Sequence, residues 1–75
     1  MTIKALRTLL AIHRHGSFAA AGKAVGLTPS AVSLQIGGLE QRLNVRLFER
    51  GGRTPRLTAS GHLAITRAQE ILRLY

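Results

Sequence analysis

The sequence predicts a mostly α-helical domain with one short β-hairpin, and three observations predict it. Apolar residues recur at helical spacing in four stretches. A Thr28-Pro29 pair, the strongest local start signal in the chain, opens the third of them. Between the third and fourth, Gly51-Gly52-Arg53 makes a turn flanked by segments 45–50 and 54–57, which read as the two arms of a hairpin. The 75 residues allow one domain at most, and a hydrophobic content of 45% is enough to fold it against a net charge of +8.

The first helix is predicted over 3–13, where Ile3, Leu6 and Leu10, and again Ala5, Leu9 and Ile12, make a wide apolar face. Gly16 breaks it. Ser17 then caps a short second helix carrying Phe18, Ala21 and Val25, with small residues along it that let a neighbour cross closely, and Gly26 ends it. In the third helix Thr28 is the cap and Pro29 the first helical residue, where a missing N–H costs nothing. Val32, Ile36, Leu39 and Leu43 fall within an arc of about 60° and are expected in the core. The opposite face holds Ser30, Leu34, Gly37 and Gln41, flanked by Ser33 and Gly38; it is small, polar and almost uncharged. Asn44 suits a left-handed stop. Pro55 makes the second hairpin arm an edge or poorly paired strand. Thr58 caps a final helix expected to run to the chain end.

A short helix, a tight glycine-containing turn and a second helix with an uncommitted polar face form a helix-turn-helix, and a basic hairpin behind it makes the winged variant. The charge is placed to suit that reading. Residues 41–75 hold seven arginines against Glu49 and Glu70, and five of them (Arg42, Arg46, Arg50, Arg53, Arg56) crowd into one 15-residue stretch. The planar guanidinium fork donates two parallel hydrogen bonds to phosphate or guanine, so arginine is the residue of choice for nucleic acid. The expected mechanism puts the third helix in the major groove of double-stranded DNA, with the wing arginines on the backbone or in the minor groove. Ser30 and Ser33 on the open face, Leu34, whose apolar side chain suits a thymine methyl, and Arg50 and Arg53 at the wing are the candidate contacts. Thr28 combines capping with reach to a phosphate, and Gln35, pointing sideways, either reads a base or braces the helix. Gly37 and Gly38 each cost about 1 kcal/mol in a helix interior relative to alanine; they are either drift or an allowance for close approach of the backbone.

The final helix spreads apolar residues over about 200° of arc, where packing on one small domain needs nearer 100°. Leu63, Ile65, Ala68, Ile71, Leu72 and Tyr75 are accordingly expected to meet a second copy of the chain; the alternative is a helix set deep among the others. No enzyme is expected, because Glu40, Glu49 and Glu70 are isolated and there is no aspartate. No metal or cofactor is expected either: there is no cysteine, His13 and His15 diverge on a helix, and His62 lies far from both. No apolar run approaches the roughly 20 residues of a membrane span, and Met1-Thr2-Ile3-Lys4 lacks a signal-peptide pattern, so a cytoplasmic location with no membrane partner is expected. Two rivals are a protein-interaction module whose charge serves solubility and a non-specific RNA binder. The second is short of stacking groups, since Phe18 and Phe48 are expected in the core.

Ser17-Phe18-Ala19-Ala20-Ala21, Thr28-Pro29-Ser30-Ala31-Val32-Ser33-Leu34-Gln35-Ile36, Leu39-Glu40, Leu47-Phe48-Glu49-Arg50 and Leu57-Thr58-Ala59-Ser60-Gly61 together resemble the N-terminal domain of LysR-type transcriptional regulators, over essentially the whole chain. The resemblance implies a winged helix-turn-helix DNA-binding domain over 1–58 and, over 59–75, the start of a linker helix used for dimerisation. It also implies bacterial regulation of transcription by homodimers or homotetramers on double-stranded DNA. It places the DNA contacts on Thr28, Pro29, Ser30, Ser33, Leu34 and, in the wing, Arg53. The chain departs from the family pattern at Pro29, commonly glutamine, at Leu34, commonly arginine, and at Gly37 and Gly38, where basic or polar residues are frequent. Those departures shift the expected burden of binding onto the wing arginines. The family's effector-binding domain is expected to be absent from this segment, so a small-molecule effector would act only through that missing part.

Overall fold

A computed structural model describes residues 2–49, 51 and 54–74. Four helices follow one another: α1 (Ile3–His15), α2 (Phe18–Val25), α3 (Pro29–Leu43) and α4 (Ala59–Arg73). All four start at a hydroxyl. Thr2, Ser17, Thr28 and Thr58 accept, through their side-chain oxygens, the N–H of Ala5, Ala20, Ala31 and Gly61, each removing one of the orphan donors of a first turn. The first three end on left-handed residues, Gly16 (φ 81), Gly26 (φ 78) and Asn44 (φ 56). Of these Asn44 is the only non-glycine, and asparagine tolerates that region because its short amide bonds locally. The expected starts and the stops of α2 and α3 are thus found, while α1 runs two residues past 13 and α4, expected to reach the chain end, is described to Arg73.

Helix α1 is the hub. It packs against α2, α3 and α4, while α2 also packs on α3. Leu9 and Ile12 of α1, Ala21 of α2, Val32, Ile36 and Leu39 of α3, and Ile65 and Ala68 of α4 meet in one core with Leu47 and Phe48 from the loop before α4. Phe18 and Phe48 meet edge-to-face, ring centres 5.7 Å apart, so both aromatics are spent on packing as expected. The turn from α2 to α3 is tight: Leu27 N–H donates to the Gly22 carbonyl at 2.8 Å. A side chain at Gly22 would run into the Leu27 carbonyl oxygen and touch Val32, so glycine is what lets α2 and α3 meet at this turn.

One expectation is met only in part and two are corrected. Among the described residues there is no β-strand, only one antiparallel bridge, between Phe48 and Leu57. Thr58 N–H donates to the Leu47 carbonyl (3.0 Å) and Glu49 N–H to the Arg56 carbonyl (2.7 Å), while Arg50, Gly52 and Arg53 of the expected hairpin lie outside the described residues. Leu43, expected in the core, is 39% exposed because it lines an open groove between α1, α3 and α4, with Leu6, Leu39 and Leu63. Ile65 and Ala68, expected to meet a second copy, are buried inside the domain at 5% and 0% exposure. That part of the α4 apolar arc is taken up by the fold's own core.

Candidate nucleic-acid interface

Helix α3 carries the core on one side and, among the described residues, nothing covers the other. Val32, Ile36 and Leu39 are buried. Ser30, Ser33, Leu34, Gly37, Gly38 and Gln41 are exposed, as the spacing predicts. No residue of this exposed face is charged; the basic residue of α3 is Arg42, in its last turn. Leu34 is 78% exposed, and a Cβ built at Gly37 or Gly38 would meet nothing within 4 Å. Neither glycine is therefore required by packing inside the domain.

The first turn of α3 keeps one free donor. Pro29 has no N–H, Thr28 caps Ala31 (3.1 Å), and Val32 N–H donates to the Thr28 carbonyl (3.0 Å). Among helical positions 29–31 this leaves the Ser30 N–H without a partner in the described residues, at the positive end of the helix dipole where an anion is favoured. Thr28 and Pro29 are exposed beside it.

Gln35 lies at the edge of this face and points into the domain. The buried Thr8 hydroxyl donates to its side-chain oxygen at 2.6 Å and sits 3.0 Å from the Lys4 carbonyl. The amide of Gln35 therefore ties α3 to α1 and fixes the rotation of α3 about its own axis. Of the two roles open to it, the geometry favours the brace.

Two contacts that sequence reasoning missed tie the segment between α3 and α4 to those helices. The Glu40 carboxylate accepts the backbone N–H of Leu47 at 2.7 Å and of Phe48 at 3.5 Å, with Arg46 Nε 3.9 Å away. An acid on the last turns of α3 thus holds the loop start in register with the helix. Thr58, besides capping α4, donates its hydroxyl to the Arg46 carbonyl. The only sequence sign of the first contact is that Glu40 is the sole acid of α3; its partners are backbone groups seven and eight residues on, which no residue-type pattern marks. Between α3 and the 46–55 segment runs a groove lined by Ser33, Gly37, Arg46, Thr54 and Pro55. Arg46 stands on its rim with its side chain half exposed, the described cation nearest the open face of α3 in this groove.

Arg50 and Arg53, expected at the wing, and Tyr75, expected on α4, lie outside the described residues. On α4, Leu63 is 57% exposed and Leu74 89%, while Ile71 and Leu72 are half-buried against the core. Among the described residues no three His, Cys, Asp or Glu side chains come together to hold a metal ion, and no helix is long and apolar enough to cross a membrane.

A trihelical unit with a capped, outward-facing third helix behind a tight turn defines a regulatory helix-turn-helix domain. Residues 3–62 match the family model of bacterial regulatory helix-turn-helix proteins of the lysR family, and the chain belongs to that family. It is 46% identical over 72 residues to an HTH-type transcriptional regulator of Azotobacter vinelandii encoded between ibpB and leuC, covering 96% of this chain and 50% of that protein. It is 45% identical over 73 residues to a "Probable RuBisCO transcriptional regulator" of Nostoc sp., covering 97% of this chain and 22% of that protein. The chain thus spans between about a fifth and a half of these curated relatives. Among solved structures it is similar to the DBD of CbnR in complex with DNA, with a TM-score of 0.93 and 35% identity over 99% of this chain and 85% of that one.

Proposed function

We propose that residues 1–58 are the sequence-specific, double-stranded DNA-binding domain of a bacterial LysR-type transcriptional regulator, and that 59–75 begin its dimerisation helix. The observation that carries this reading is the open face of α3: exposed, uncharged, braced from behind by Thr8–Gln35 and presented by a fold that matches a domain solved on DNA. Helix α3 enters the major groove, with Thr28, Pro29 and the Ser30 N–H at a phosphate and Ser30, Ser33 and Leu34 toward base edges. The 45–57 segment acts as the wing. Arg46, Arg50, Arg53 and Arg56 supply the cations that the helix face lacks, so charge gives affinity and orientation while α3 gives sequence choice.

A second copy docks through α4, using Leu63, Ile71, Leu72, Tyr75 and Leu74; the regulator then addresses a two-fold symmetric site as a homodimer or higher oligomer. The protein works by binding and not by catalysis, in the bacterial cytoplasm, and a small-molecule effector acts through a region of the regulator outside this segment.

The test is the salt dependence of duplex binding by fluorescence anisotropy. A protomer neutralising about four phosphates gives a log–log slope near −3.6. A flat dependence, or no duplex binding at low salt, contradicts the proposal and favours a protein-interaction module.

A further inference from the structure

We propose that Leu34 reads the C5-methyl group of a pyrimidine in the major groove, an inference that rests on the duplex-binding reading above. A leucine 78% exposed in the middle of an otherwise polar helix face has no place in or against the core of the described residues. In an α-helix the Cβ atoms lean toward the N-terminus, so the side chains that would shade Leu34 are those three and four residues on. Those positions are Gly37 and Gly38, and open space surrounds both. The two glycines leave the leucine bare and leave room beside it for another molecule's surface.

The chemistry of the face narrows what that surface is. The major-groove edges of the four bases offer hydrogen-bond donors and acceptors plus one apolar group, the C5-methyl. The groups that would recognise the polar edges strongly are missing, occupied or, for Gln41, two turns away from Leu34. No lysine or arginine occurs in α3 before Arg42, so the open face has no bidentate fork for guanine. Gln35, next in the chain, is spent on Thr8, and Glu40 on the Leu47 and Phe48 N–H groups. What remains beside Leu34 is the pair of serine hydroxyls, which accept or donate without strong preference, and the leucine itself, with the Gln41 amide two turns further along the face. An apolar group in a water-filled groove gains free energy only against apolar surface, and the methyl is the one such surface a base edge presents.

The experiment uses the 75-residue chain and a duplex selected by it from a random library, with each thymine replaced in turn by deoxyuridine, which removes the methyl and nothing else. At one position per half-site the replacement should weaken binding by about fourfold, the worth of one buried methyl-sized group. Leu34→Ala, a change at a largely exposed site that leaves the core untouched, should bind the thymine duplex about fourfold more weakly and be indifferent to the replacement. A 5-methylcytosine·guanine pair at the same position distinguishes the two sources of the group. Affinity recovered over unmethylated cytosine assigns the contact to the methyl alone, and affinity not recovered assigns it to thymine. Duplex binding in which every deoxyuridine replacement is neutral, or in which Leu34→Ala stays equally sensitive, overturns the role of Leu34 and leaves the DNA-binding reading standing. A Leu34→Ala variant that changes only self-association overturns it too, in favour of a protein contact. No binding to any duplex overturns the DNA-binding reading itself.

Discussion

Four glycines sit inside helices, and what stands next to them divides the molecule in two. At Gly22 in α2 and Gly61 in α4 an added Cβ would drive into the carbonyl of Leu27 and of Leu47, and at Gly61 also into the Leu57 side chain at 2.9 Å. At Gly37 and Gly38 in α3 it would meet nothing. The first pair is demanded by the fold: Gly22 lets the turn close between α2 and α3, and Gly61 lets the loop holding the core residues Leu47 and Phe48 lie on the start of α4. The second pair weakens its helix and receives nothing from the domain in return. Where a protein keeps a local cost that its own packing does not explain, the reason is to be sought outside the fold, and here the face concerned is the one proposed to meet DNA.

Substitution can break or sharpen that contrast. The largest effect is expected at Gly61. Alanine there must displace the Leu47 backbone, costing about 3 kcal/mol of overpacking, well above the gain of about 1 kcal/mol from helix propensity. In a domain this small, chemical denaturation should show the midpoint collapsing. A Gly61→Ala protein as stable as its parent would contradict the close approach. Gly22→Ala should follow with a loss of about 2 kcal/mol, since one carbonyl and the edge of Val32 are in the way. At Gly37 and Gly38 the sign reverses. Each alanine should stabilise by up to about 1 kcal/mol, seen as a rise of roughly 5 °C in melting temperature. Loss of stability at either position would mean that the open side of α3 is covered by something within the domain.

Local chemistry made much of this fold legible in advance. Thr28-Pro29, Ser17, Gly16 and Asn44 act on the few residues beside them, and each cap lies where its residue type implies. The open face of α3 was legible for the same reason, since helical periodicity alone places Ser30, Ser33, Leu34 and Gly37 together. What was not legible depends on neighbours distant in the chain. The apolar arc of α4 is too wide for one domain on a helical wheel, but the wheel does not say which sector turns inward. Ile65 and Ala68 proved to belong to the core, leaving Leu63 and Leu74 outside. The hold of Glu40 on the Leu47 and Phe48 N–H groups, and of Thr8 on Gln35, joins side chains to groups that only the folded chain brings together. Of the expected hairpin, one bridge between Phe48 and Leu57 is found, and most of its turn lies outside the described residues.

The central claim is that an almost neutral helix face chooses the sequence while the arginines behind it supply attraction. Selection of bound duplexes from a random library by the 75-residue chain tests it most directly. The account predicts a recurrent, two-fold related motif bound about a thousandfold or more tightly than random duplex at moderate salt. Pools that stay random, with one affinity for every duplex and binding that follows salt alone, would contradict it.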